Sequence, residues 1–175
     1  TSVDGVQLKE IAIGKNKSFT VGLPKDWQAT VQSNGNDSIR TLRAVPKQGD
    51  ALLFLMSFLS NRQSVGMDSI VLDKILQGIH EQHSVNSDEK QVASIPINLV
   101  FSKGVGHVLS YVNETLQVDN KRPPDEFSHI TTGALVIEGM TVSVSVLNND
   151  LRGDNYAKAL LALATIVYKD NLRAK

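Results

Sequence analysis

Apolar residues in the first third of the chain alternate with polar or small ones. Phe19, Val21 and Leu23 are separated by Thr20 and Gly22, the pattern of a strand with one buried face. Pro24 stops that ladder because it has no N–H to donate. Residues 8–13 predict an earlier strand, set apart by the turn signal Gly14-Lys15-Asn16-Lys17. Trp27 leads into a third strand over residues 28–32, the polar run 33–38 predicts a turn, and residues 39–45 predict the returning strand. Residues 51–59 break the alternation. Leu52, Phe54, Met56 and Phe58 take one face, and Leu53, Leu55 and Leu59 the other. A strand apolar on both faces is expected to be central and covered on both.

The period then becomes helical. Over residues 67–83, Leu72, Ile75, Leu76, Ile79 and His83 recur on one face, with Asp68 as the expected N-cap and Asp73, Lys74, Gln77 and Glu81 facing out. Residues 85–90 read as a polar connection. Ile97, Leu99 and Phe101 then alternate as a strand, Ser102-Lys103-Gly104 offers a tight turn, and residues 105–116 predict a long strand. The charged run 120–126, with Pro123-Pro124, predicts an exposed loop. Residues 129–138 and 140–147 flank Gly139 as a hairpin, and Val142, Val144 and Val146 mark its buried face. A last helix is expected over 156–168, capped by Asp154 or Asn155, with Leu160, Leu163 and Val167 as its stripe. A polar tail follows from Lys169. Strands, helix, strands, helix, joined by short links, predict the α+β class: a mainly antiparallel sheet flanked by helices.

Size and charge narrow this picture. With 175 residues the chain is long enough for one domain, at ~100–200 residues per domain, and residues 1–175 are read as a single one. Zero net charge argues against a nucleic-acid partner held by bulk charge. The absence of cysteine removes thiol chemistry and cysteinyl metal sites. No apolar run approaches the ~20 residues of a membrane-spanning helix. The chain opens with Thr1, as a trimmed mature form does, and a membrane anchor upstream is compatible with the sequence.

Candidate chemistry is sparse. His80 and His83 lie three residues apart beside Glu81, whereas the zinc-protease helix needs histidines four apart. The ordinary reading is a solvated His80 and a His83 that ends the apolar stripe. Gly104-Val105-Gly106 lacks the third glycine of a dinucleotide loop, since Leu109 stands there, and no phosphate-loop lysine follows. No Gly-x-Ser-x-Gly elbow occurs. Asp88-Glu89 and Asp125-Glu126 are adjacent acids in polar surroundings. One constellation points to ligand binding. Val105, His107, Leu109 and Tyr111 share a face of one strand, and Phe127, His129, Thr131 and Gly133 a face of the next. With those faces aligned, His107, Tyr111 and His129 would line a shallow pocket; in any other register they are ordinary cross-strand neighbours. No cofactor or metal is expected.

The stretch Phe19-Thr20-Val21-Gly22-Leu23-Pro24-Lys25-Asp26-Trp27 resembles the opening of the PsbP-like family: an aromatic, alternating apolars, then a proline followed closely by an aromatic. The later order of two-faced strand, helix, meander and terminal helix is similar too, and it also resembles the DcrB-like bacterial envelope proteins. The resemblance implies a PsbP-like α/β/α sandwich and a non-catalytic binding or assembly role in the periplasm or cell envelope, with another protein as partner. It transfers no binding residues to this chain. Two other readings stand beside it: a cytoplasmic adaptor or chaperone for a secreted effector or other client, and a small-ligand or metal-binding protein using His107, Tyr111 and His129.

Overall fold

The alternating residues 19, 21 and 23 become the middle of a small sheet that closes over a much larger one. The computed structural model describes residues 5–33, 39–62, 66–118 and 127–170, with the side chains of 60–62 and 117–118 outside that description. In chain order the elements are β1 (Val6–Ala12), β2 (Lys17–Pro24), β3 (Trp27–Ser33), β4 (Ile39–Pro46), β5 (Leu52–Arg62), α1 (Asp68–Ser84), β6 (Glu89–Ile97), β7 (Gly104–Asn113), α2 (Glu114–Val118), β8 (His129–Ile137), β9 (Met140–Asn148), α3 (Asp154–Ala164) and β10 (Val167–Asp170). The large sheet has seven strands in the order β3-β4-β5-β9-β8-β7-β6, and the small one has the order β1-β2-β10. Every strand pairing described is antiparallel. The class is α+β, as the sequence predicts. The predicted turn at 33–38 and the loop at 120–126 fall almost wholly outside the described residues.

Two layers meet the large sheet. On one face, the small sheet and α3 bury a single core that joins Phe19, Val21 and Leu23 to Phe54, Phe58, Val144 and Leu163. On the other face, Leu72 of α1 packs on Ala134 and Val136 of β8. Phe19 touches both Phe58 and Tyr168 through tilted rings, and Trp27 meets Phe54 edge-on. Trp27 is therefore a core anchor rather than a surface aromatic. The hairpin about Gly139 forms as expected. Glu138 at φ 50° and Gly139 at φ 81° make the two-residue left-handed turn that matches strand twist.

Several expectations are corrected. The second face of β5 is only half covered: Leu53, Leu55 and Leu59 are half-buried, because α1 lies over β7 and β8 instead. Met67, not Asp68, occupies the N-cap of α1 and gives no side-chain cap; Asp68 sits in the first turn, where its charge still opposes the helix dipole. The supposed connection at 85–90 ends inside β6, which begins at Glu89, and residues 98–103 are loop. β6 is an edge strand: Lys90, Gln91 and Ser94 are exposed, Val92 with them, and its Pro96 is tolerated. The long strand 105–116 stops at Asn113 and turns into the short α2. Gly153 is the N-cap of α3; Asn155 instead donates to the carbonyls of Gln48 and Asp50, at 3.1 and 2.8 Å. The last helix ends at Ala164, and β10 pairs Val167 with Thr20. Pairing with β2 overrides the helical spacing of residues 167 and 168, since it satisfies their backbone and packs Tyr168 on Phe19.

Candidate functional site

Because side chains alternate along β2, burying Phe19, Val21 and Leu23 turns Thr20, Gly22 and Pro24 outward. The register sets Val6 opposite Pro24, Leu8 opposite Gly22 and Val167 opposite Thr20. The outer face of the small sheet thus sets Val6, Leu8, Pro24 and Val167 around Gly22, which has no side chain, with Thr20 and Glu10 following toward the other end. The end of α3 forms a wall beside it, with Leu161, Ala162 and Thr165. Together they enclose a groove of about 570 Å³, with Phe101 and Lys158 also on its walls. Three large apolar residues on this groove are well exposed: Leu8 at 59%, Phe101 at 64% and Leu161 at 63%. Isolated exposed apolar residues need no explanation, but three around one concavity make this groove the leading candidate site. A Cβ on Gly22 would reach within 3.2 Å of Val6, so even a small side chain there begins to fill the groove.

Polar groups lie at its edges. Lys158, Lys169 and Asp26 line the groove, and all three are exposed. Lys169 is opposite Ser18, at one end of β2, and Asp26 lies just beyond Pro24 at the other. Lys169 and Asp26 thus stand at opposite ends of β2, Lys158 lies on the α3 wall, and Glu10, opposite Thr20, is exposed on the outward face of β1.

A second, smaller cleft of about 190 Å³ opens at the far side of the large sheet, where α1 ends. His83 stacks on Tyr111, with ring centroids 4.3 Å apart and planes 16° from parallel. The His83 Nδ1 meets the Glu89 carboxylate. The Tyr111 hydroxyl is buried and has no hydrogen-bond partner among the described residues. Burial, and then the nearby charge of Glu89, push its pKa up. A third polar group is closed rather than open. Ser110 Oγ and Thr131 Oγ1 lie 2.7 Å apart, and Tyr156 OH lies 3.2 and 2.9 Å from them, so three buried hydroxyls satisfy one another.

The residues singled out from sequence are not brought together as a set. Tyr111 pairs with Ile130 and His107 with Ala134, while His129 pairs with Val112. That register sends Tyr111 and His107 to the α1 face and His129 to the opposite one. His107 is held by Ser94, with Nε2 2.6 Å from the hydroxyl, and His129 Nδ1 lies 2.9 Å from Ser128 Oγ. Tyr111 and His129 both border the small cleft, which sits at the strand end, and His107 does not. His80 is exposed and His83 is engaged by Glu89. Among the described residues, no three histidine, aspartate or glutamate side chains converge as a metal set. Gly104 and Gly106 serve close packing: a Cβ would meet Val136 O at 2.2 Å and Leu135 Cδ2 at 2.5 Å, respectively.

The groove was not visible as a site in the sequence. Its signals were there: Leu161 lies off the buried stripe of α3, and Gly22 faces away from Val21 and Leu23. No family model matches the chain, and no curated protein matches it. No described helix is long and apolar enough to cross a membrane.

Proposed function

We propose that this chain is a non-catalytic binding or assembly protein of the PsbP-like sandwich kind that works in the bacterial envelope. The observation that carries the binding role is the groove on the outer face of the small sheet. A folded chain has little reason to expose Leu8, Phe101 and Leu161 around a concavity unless something covers them. The chemistry of the groove is that of holding. Its floor and walls are mainly apolar, and among the described residues its ionisable side chains are Lys158, Lys169 and Asp26, all exposed. A partner protein could engage it by inserting one apolar segment, and an elongated apolar ligand would fill it. The strand–Pro–Trp stretch and the antiparallel sheet with helices on both faces support the PsbP-like reading and, through it, the envelope.

The test uses a neutral apolar dye, N-phenyl-1-naphthylamine, whose emission rises in an apolar site. The whole chain is expected to bind it, and Leu8→Ser with Leu161→Ser to weaken binding at least fivefold while the thermal midpoint holds. Equal binding by that double variant would remove the groove from consideration. Fractionation of the natively expressed protein tests the location, and recovery only from the cytosol would overturn the envelope assignment.

A further inference from the structure

Resting on the reading of the groove as a binding surface, we infer that its occupant is a long-chain carboxylate, one acyl chain with a free anionic head. Three observations lead there. The first is shape. The groove follows β2 from the Lys169 end to the Asp26 end. From Ser18 to Pro24, at about 3.3 Å per residue, this is roughly 20 Å. Two opposed chains fill a bilayer core of ~30 Å, so one chain extends about 15 Å and leaves room for a head group. A volume of about 570 Å³ spread along that length describes a narrow trough, which suits a chain better than a fused-ring ligand.

The second is the lining. Val6, Leu8, Leu161, Ala162 and Val167 offer methyl and methylene surface, and Gly22 deepens the middle. Thr20 and Thr165 bring the hydroxyls near the centre, and that of Thr165 is already donated to the Leu161 carbonyl, so a ligand with polar atoms along its length would lose most of their hydrogen bonds to desolvation. The third is charge. Lys169 stands at one end, and no ion pair is formed by it among the described residues. Asp26, the only acid in the lining among the described residues, is at the other end. With Lys158 and Lys169 in the lining against that one acid, an anionic head is favoured, and it belongs at the Lys169 end, away from Asp26, with its tail running past Gly22 toward Pro24. The reverse orientation would place two carboxylates together.

Displacement of the neutral dye from the full chain tests this. Palmitate is expected to displace it, with affinity falling about fourfold for each methylene removed toward dodecanoate. Lys169→Glu should weaken palmitate about fivefold and leave hexadecanol unchanged. If the dye binds but palmitate does not displace it, the binding surface stands and the carboxylate assignment falls. Equal displacement by palmitate and hexadecyltrimethylammonium overturns the role of Lys169. Binding to anionic phospholipid vesicles without binding of free palmitate, or stronger displacement by an apolar peptide, assigns the groove to a membrane or to a protein segment instead.

Discussion

The imidazole of His83 lies flat on the phenol ring of Tyr111, their centroids 4.3 Å apart, while its Nδ1 is held by Glu89. Three elements are joined at that point: the last turn of α1, the first residue of the edge strand β6 and its neighbour β7. The arrangement leaves the phenol hydroxyl buried and, among the described residues, unpartnered.

An unpartnered buried hydroxyl costs about 1–3 kcal/mol. Tyr111→Phe removes it and keeps the stack on His83. The variant is expected to match or exceed the parent in urea denaturation, by up to about 1 kcal/mol. A loss greater than that would mean the hydroxyl has a partner.

The same residue sets an alkaline limit. The pKa of Tyr111 is raised above its ordinary 10.0 in the folded chain. Above pH 10 the unfolded state gives up that proton first and binds fewer protons than the native state. Stability therefore falls as pH rises from about 10 toward the raised folded value. Tyr111→Phe should decline less over that window, read as the change in denaturation midpoint between pH 9 and 11.

Removing the carboxylate from the His83 pair has the opposite consequence for stability. Glu89→Gln is expected to cost about 1–2 kcal/mol at pH 7, because the contact is charge-assisted yet partly open to solvent. Hydrogen exchange at the end of α1 should accelerate with it, and unchanged exchange there would show that the clamp is not what holds α1 down.

Two glycines divide by what surrounds them. A Cβ on Gly133 would lie 2.0 Å from the His107 carbonyl oxygen and 2.7 Å from the Val108 Cα, so Gly133→Ala must push β7 and β8 apart. About 3 kcal/mol or loss of soluble protein is expected. Gly78, on the exposed side of α1, has nothing within 4 Å of an added Cβ. Gly78→Ala should stabilise by about 0.5–1 kcal/mol, read from the thermal midpoint.

Tyr156→Phe takes one corner from the buried hydroxyl triangle. Ser110 and Thr131 keep each other, so a loss of about 1–2 kcal/mol is expected rather than collapse. Calorimetry would measure it, and a neutral result would mean that Tyr156 contributes packing alone.

The elements with strong periodicity were legible in the chain. Phe19, Val21 and Leu23 announce β2, the spacing of Leu72, Ile75, Leu76 and Ile79 announces α1, and Gly139 announces its hairpin. What was hidden depended on distant partners. Val167 and Tyr168 continue a helical spacing, and only the presence of β2 makes them a strand. β6 is hard to see because an edge strand needs little apolar patterning. The ligand constellation failed on register: His129 faces Val112 rather than Tyr111, and one step along a strand exchanges the two faces. The groove is a property of two elements at once, with Gly22 and Leu161 far apart in sequence, so neither marks it alone.

The strand pairings also set a timetable. Phe54 waits for Val146, and Phe19 waits for Tyr168. At about 5–20 residues per second of synthesis, the apolar run of β5 stays without its β9 partner on the order of 5–20 s. The small sheet is later still, since its third strand is among the last described residues made. Leu52, Phe54, Met56 and Phe58 thus emerge from the ribosome as a ready client for a chaperone, well before the chain can shelter them itself.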